Sequence, residues 1–135
     1  MKTLYAFLMF VGIAFVLASA TAQAQTSVTE ISTNQYVAVS EYSGNSLICT
    51  VSVLTTGQTY YACTQVISGV PSIPTNGVGV IAANATTSVK ASFGYNGAIY
   101  GLFELSPNAP GAPGNPCITA SGDFGSTTVV CPTFP

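Results

Sequence analysis

The sequence predicts an all-β protein, built as a single small β-sandwich (immunoglobulin-like or similar, with about seven to nine antiparallel strands) or as a small barrel. Three observations support this fold class. Apolar and polar residues alternate in short runs that are rich in β-branched and aromatic side chains. Clusters of Gly, Pro, Asn and Ser separate those runs. After residue 24, no stretch combines the apolar period of a helix with the capping residues that helix ends favour.

The first 24 residues have the layout of a helical secretory signal peptide. Lys2 supplies a positive charge, an unbroken apolar run of 15 residues follows over positions 4–18, and small residues end the segment. Two A-x-A motifs predict cleavage after Ala22 or Ala24, which leaves residues 25–135 as one secreted β domain. A retained membrane anchor is the alternative, but the apolar run is shorter than the roughly 20 residues of a spanning helix.

The predicted strands follow in order along this domain. They cover residues 35–42, 47–53, 58–67, 78–83, 86–93, 98–105, 117–120 and 127–131. Residues 26–33 precede the first clear strand and are either a donor arm that pairs with a neighbouring molecule or a frayed terminus. Residues 106–116 hold four prolines and two glycines, which predicts an irregular crossover loop between sheets, because proline cannot donate to a strand ladder.

The four cysteines predict two disulfide bonds, since an even number in a small secreted domain indicates a disulfide framework. Cys49 and Cys63 are 14 residues apart, as are Cys117 and Cys131, and each interval has a turn signal near its centre. Folding each segment at its midpoint brings its cysteines opposite each other, which predicts the bonds Cys49–Cys63 and Cys117–Cys131. Pairing between the two hairpins, Cys49 with Cys131 and Cys63 with Cys117, is the alternative. A four-thiolate zinc site is disfavoured because the chain has no close C-x-x-C pair.

Charge is nearly absent from the chain. Only 4% of the residues are charged, and histidine, arginine and tryptophan are missing, whereas about 25% of an ordinary domain is charged. Lys90 is the only basic residue after the signal segment, against Glu30, Glu41, Glu104 and Asp123. So few acid–base groups predict a protein that is not an enzyme and that holds no metal or cofactor. The missing basic surface predicts no nucleic-acid partner, and the missing second apolar run predicts no membrane attachment after signal removal.

Two polar positions have both a functional and an ordinary interpretation. Lys90 alternates with Val89 and Ala91 along its strand, which places it on the solvated face and predicts a plain surface lysine rather than a partner in an isopeptide bond. Asn84 opens an N-x-T sequon, which is a glycosylation acceptor only in a eukaryotic secretory pathway.

Tyr60 and Tyr95 are the predicted ligand-contact residues. Tyrosine is favoured at recognition surfaces because it combines an apolar ring with a polar tip. Tyr60 is adjacent to Tyr61 on one strand, so the two face opposite sides and one of them faces solvent. Tyr95 lies in a Gly-rich turn between two strands.

These features together predict a secreted, extracellular or periplasmic, structural or adhesive protein that self-associates as a cell-surface subunit. A surface without charge lacks the repulsion that keeps proteins apart, and edge strands with almost no lysine are poorly guarded against strand addition. The alternative is a monomeric secreted binding module that contacts a glycan or a host protein through exposed tyrosines. The predicted partners are therefore further copies of the chain, or a glycan or surface protein.

Overall fold

The alternating runs form strands that assemble into two antiparallel sheets. The computed structural model describes residues 26–107 and 116–132, so the predicted signal peptide (residues 1–24) and most of the predicted loop at residues 106–116 lie outside the described residues. Within the described part, ten strands follow one another. They are β1 (Ser27–Ser32), β2 (Gln35–Tyr42), β3 (Asn45–Val53), β4 (Thr59–Ile67), β5 (Val70–Ser72), β6 (Val78–Ile81), β7 (Val89–Tyr95), β8 (Ala98–Ser106), β9 (Cys117–Ser121) and β10 (Thr127–Val130). One short 3₁₀ turn, Asp123–Gly125, lies between β9 and β10.

The two sheets are successive meanders. The large sheet has six strands, five of which follow in the order β1-β2-β3-β4-β5. The sixth strand, β6, lies on the same side of β4 as β5: β6 pairs with residues 59–62 of β4, and β5 pairs with residues 65–67. The small sheet has four strands in the order β10-β9-β8-β7. The predicted crossover between sheets at residues 106–116 is wrong, because β8 and β9, the strands on either side of it, are neighbours in this one sheet, with Ser106 opposite Cys117. The all-β prediction is confirmed, and two antiparallel sheets are consistent with a β-sandwich rather than with one closed barrel. Within the described residues every ladder joins strands that are close in sequence, so the Greek-key order of an immunoglobulin-like domain is not found.

Two short edge strands were not predicted. Residues 27–32 form β1, which pairs with β2 of the same molecule, so they are neither an arm held by a neighbour nor a frayed terminus in this structure. All but one of the β1 residues are exposed, so the segment lacks the apolar alternation that marks a strand in the sequence. β5 contains Pro71 and covers only three residues, as expected for an edge strand that needs few ladder bonds.

The core lies between the inner faces of the two sheets. Alternate residues are buried there over residues 36–40 of β2, 45–53 of β3 and 59–63 of β4, opposite residues of β7, β8 and β9. The most completely buried large side chains are Phe93, Phe103, Leu47, Leu105 and Ile118. Leu102 and Phe103 are both buried although they are adjacent, because the β7–β8 register shifts between Ala91 and Ser92 and leaves one extra residue on β8.

Both disulfide bonds join the cysteines that the spacing pairs. Cys49 on β3 and Cys63 on β4 lie directly opposite, with their Cα atoms 4.0 Å apart, and both are buried in the core. The Cys63 amide donates to the Gly77 carbonyl at 2.6 Å rather than to β3, which makes the cysteines a non-hydrogen-bonded pair with close side chains. Cys117 and Cys131 have a Cα separation of 4.1 Å, and Cys131 lies at the surface.

Buried polar groups are few, and those of the inner faces are paired. The Ser40 hydroxyl on β2 donates to the Leu102 carbonyl on β8 at 2.9 Å, which places one hydrogen bond between the two sheets. Tyr61 packs its ring over Gly79, where an added Cβ would lie 2.7 Å from ring atoms, and its hydroxyl donates to the Asn76 carbonyl at 3.0 Å. These contacts let the central strands bury hydroxyl groups without leaving them unpaired.

We expect the two disulfides to contribute unequally to stability, although each encloses the same sequence separation of 14 residues. Loss of either bond removes about 3 kcal/mol in the chain-entropy model. The double variant Cys49→Ala/Cys63→Ala also loses buried contacts in the core, so its free energy of unfolding should fall further than that of Cys117→Ala/Cys131→Ala. Urea unfolding of the two variants makes the comparison. A larger loss for the Cys117–Cys131 pair would contradict this assignment.

Candidate functional site

Four hairpin turns lie together at one end of the sandwich, which we call the hairpin end. They are the turns at residues 43–44, 68–69, 96–97 and 122–126. The first three have two central residues with positive φ, namely Ser43 (53°) and Gly44 (79°), Ser68 (51°) and Gly69 (80°), and Asn96 (51°) and Gly97 (76°). Such turns are type I′, whose twist matches that of the flanking strands. Each of these three hairpins therefore ends in a two-residue loop directly after its paired strands.

The fourth turn joins β9 to β10 within the small sheet and contacts the large sheet at this end. The Asp123 carboxylate accepts a hydrogen bond from the Ser43 amide at 2.6 Å, which ties the small sheet to the β2–β3 turn. Gly122 lies so close to the Glu41 carbonyl that an added Cβ would be 2.6 Å from its oxygen. Phe124 follows with a φ of 59° and is 90% exposed, an uncommon backbone conformation for an aromatic residue.

Four aromatic rings fill the hairpin end between the sheets. Tyr42 from β2 lies 4.4 Å from Tyr100 of β8 and 6.4 Å from both Phe93 and Tyr95 of β7, measured between ring centroids. Phe93 is fully buried beneath the cluster and stacks on Tyr95 at 6.4 Å. The three tyrosines are half-buried. Tyr95 is thus packed against both Phe93 and Tyr42.

The cluster changes the acidity of Tyr42. A hydrogen bond with Tyr100 raises the pKa of Tyr42 above its ordinary value of 10.0, and burial and the nearby charges of Tyr100, Asp123 and Tyr95 raise it further. The pKa values of two tyrosines outside the cluster are also raised. Burial and, to a smaller extent, the charge of Glu30 raise the pKa of Tyr36, and burial raises the pKa of Tyr61. All three phenols therefore stay neutral over the physiological range.

A groove of about 480 Å³ opens beside this cluster, between the β4–β5 and β7–β8 turns. Its lining consists of Ile67, Ser68, Gly94, Tyr95, Asn96, Gly97, Ala98 and Ile99. Two side chains of the large sheet fix its walls. The Asn45 amide oxygen accepts from the Ser68 amide at 2.8 Å, and the Gln65 amide oxygen accepts from the Gly94 amide at 3.2 Å. None of the lining residues is charged, so the groove suits a neutral ligand held by non-covalent contacts.

The structure separates the two predicted ligand-contact residues. Tyr95 lines the groove, whereas Tyr60 lies on the outer face of the large sheet, 46% exposed, near the opposite end of β4. Tyr42 and Tyr100 belong to the same end as Tyr95 but were not predicted as site residues. Their only sequence signal is that each tyrosine lies close to a turn, Tyr42 before residues 43–44 and Tyr100 after residues 96–97.

The outer face of the large sheet is a second candidate surface, which we call the outer face. It consists of Val37 and Val39 on β2, Ile48, Thr50 and Ser52 on β3, Tyr60, Ala62 and Thr64 on β4, and Val78 and Val80 on β6, which are direct neighbours across the strands. Glu41 is the next residue of β2 on this side and lies opposite Ser46, at the hairpin end of the face. Val78 is 70% exposed and Val80 is 45% exposed. The small sheet differs, because Lys90 lies opposite Glu104 on its outer face. Lys90 is exposed, as predicted.

Comparison with known proteins adds no relative: the chain matches no protein-family model, no curated protein and no solved structure. Among the described residues, no three His, Cys, Asp or Glu side chains gather as they would around a metal ion. The same residues include no helix with the length and apolar character to cross a membrane. The two candidate surfaces are therefore interpreted from their own geometry.

We expect Tyr42 to titrate late in the folded protein. Because its pKa is raised above 10.0, folding favours the neutral phenol, and the associated stability is intact below pH 10 and lost as the pH rises through the raised pKa. In Tyr42→Phe, the phenolate absorbance of the native protein should lose amplitude only at the high-pH end of the titration. The free energy of unfolding should also fall less steeply above pH 10. Amplitude lost below pH 10 would contradict the position of Tyr42 in the cluster.

Proposed function

We propose that the protein is a secreted, non-enzymatic structural or adhesive subunit, which self-associates outside the cell or at its surface through the outer face. The observation that carries this proposal is the nearly uncharged composition of that face, on which exposed Val80 lies opposite exposed Tyr60 and exposed Val78 lies opposite Ala62. Exposed apolar patches on a secreted domain mark interaction surfaces. A second copy is the occupant we favour, because a face whose charge is confined to Glu41 at its hairpin end meets its own copy with little like-charge repulsion.

The dimensions of the outer face favour repeated weak contacts. Four strands spaced about 4.8 Å apart, each with about six residues rising about 3.3 Å, cover about 400 Å² per copy. This value is below the roughly 800 Å² per partner of a standard stable interface. A single face-to-face contact is therefore weak, and lasting association requires further contacts. The outer edges of β1 and β6 supply them, since within the described residues β1 pairs only with β2 and β6 pairs only with β4.

The two disulfide bonds support the proposed location. Disulfides form and persist in oxidising compartments and are rare in the cytosol. Cys49–Cys63 and Cys117–Cys131 leave no free cysteine among the described residues. This suggests an extracellular or periplasmic environment, and secretion by the predicted signal peptide is part of the proposal.

We expect Val78→Lys to weaken self-association by at least about tenfold, because each contact would then desolvate a lysine and bring two positive charges together. Sedimentation velocity over a concentration series of the disulfide-bonded protein measures the effect. Stability should change little, within about 0.5 kcal/mol, because Val78 is exposed.

The matched control for this experiment is Val129→Lys. Val129 is also an exposed strand valine, 55% accessible, but it lies on β10 of the small sheet, beside Thr119 and away from the outer face. Self-association should be unchanged in this variant. Equal weakening by both substitutions would reject the outer face as the contact. A wild-type chain that stays monomeric at every concentration would reject self-association itself and favour the monomeric binding module.

A further inference from the structure

We propose that the groove at the hairpin end binds a neutral saccharide, with Tyr95 as the ring against which one sugar packs. This inference does not rest on self-association, because the groove belongs to one chain and lies at the strand ends rather than on the outer face. It concerns residues 67–68 and 94–99, which line the groove.

The first support is a preorganised aromatic wall. Tyr95 is half-buried, stacked on buried Phe93 and met edge-on by Tyr42. An aromatic ring offers an apolar face to the C–H groups of a pyranose, and a ring already fixed loses little entropy when the sugar binds. Ile99, 70% exposed, also lines the groove, from the opposite face of the β7–β8 hairpin, because Ile99 pairs with Gly94 whereas Tyr95 pairs with Ala98.

The second support is the set of uncharged polar groups along the same groove. Asn96 is exposed and carries an amide that both donates and accepts hydrogen bonds, and Ser68 contributes a hydroxyl on the facing wall. Both residues have left-handed backbone conformations within type I′ turns, and the Ser68 amide is held by Asn45. These groups match the alternating donors and acceptors of sugar hydroxyls.

The third support is the charge and size of the groove. Its lining contains no charged residue, which disfavours phosphorylated, sulfated and acidic ligands. A volume of about 480 Å³ falls within the range of about 300–1,000 Å³ that holds small ligands. An extended peptide is a poorer fit, because strand addition requires free amides along an edge strand, whereas two outward amides of edge strand β7 are already bound: the Ser92 amide donates to the Thr75 carbonyl and the Gly94 amide to the Gln65 amide oxygen.

The test is a binding titration of the disulfide-bonded protein with short neutral oligosaccharides of glucose, galactose and mannose, and with oligogalacturonate as the charged comparison. In heteronuclear NMR spectra, amide signals of Ser68, Asn96 and Gly97 should shift with one neutral series, while those of Val78 and Val129 stay in place. Tyr95→Ala should raise Kd by about tenfold, equivalent to about 1.4 kcal/mol. Tyr95→Phe, which keeps the ring, should stay within about threefold of wild type.

Tyr60→Ala is the matched control, because Tyr60 is an exposed tyrosine on another surface, and it should leave Kd unchanged. Ile99→Glu replaces an exposed residue and should weaken binding even where Tyr95→Ala folds poorly. No shift with any neutral series, tighter binding of oligogalacturonate, or equal loss in Tyr60→Ala would overturn the proposal. Repeating the titration with Val78→Lys keeps the two proposals separate, since saccharide binding should persist when self-association is lost.

Discussion

The register between β3 and β4 is the constraint on which the other features depend. Cys49 and Cys63 are covalently joined within a ladder of eight cross-strand pairs. Because side chains alternate between the faces of a strand, a slip of one residue would turn Leu47 and Val51 outward and bring Ile48 and Thr50 into the core. The bond therefore fixes which side chains of β3 and β4 face the core and which ones form part of the outer face.

The same register positions the hairpin end. β3 begins immediately after the turn at residues 43–44, and β4 ends at the turn at residues 68–69, so the pairing of these two strands sets both turns at one level. Asn45, the first residue of β3, then reaches the Ser68 amide at 2.8 Å. The position of Ser68 in the groove wall therefore depends on the pairing of β3 with β4, and so on the buried Cys49–Cys63 bond that fixes this pairing.

The fold was predictable where the two faces of a strand differ. β2 has the predicted limits, because buried Tyr36, Ala38 and Ser40 alternate with less buried neighbours. β1 is exposed on nearly all of its length and β5 spans three residues, so neither has the contrast that periodicity detects. β7 begins at Val89 rather than at residue 86, because residues 86–88 are exposed and unpaired. The predicted disulfide pairing agrees with the structure because equal spacing around a turn reflects the geometry of a hairpin.

The site was less predictable than the fold. Tyr95 was predicted from its position in a Gly-rich turn, but it is the last residue of β7 and is half-buried. Its contacts with Tyr42 depend on the packing of one sheet on the other, which a local pattern does not contain. The same limit applies to Asp123, whose partner Ser43 is 80 residues away in the chain. Tyr60 and Tyr95 were predicted together because both are tyrosines, but the structure places them on different surfaces. Tyr60 lies on the outer face, near the end of β4 that is remote from the hairpin end, whereas Tyr95 lines the groove.

The two proposed surfaces have complementary positions on the sandwich. The outer face runs along the strands of the large sheet, whereas the groove lies where the strands end, so association through the former leaves the latter open. If both proposals hold, a shallow groove with one supported ring would bind a single saccharide weakly, and a contact of about 400 Å² would also be weak. Copies held side by side would present several grooves to one polysaccharide, which converts weak binding at each site into high avidity. The scarcity of charge suits both the proposed self-association and the proposed saccharide binding, since each would bring together two largely neutral surfaces.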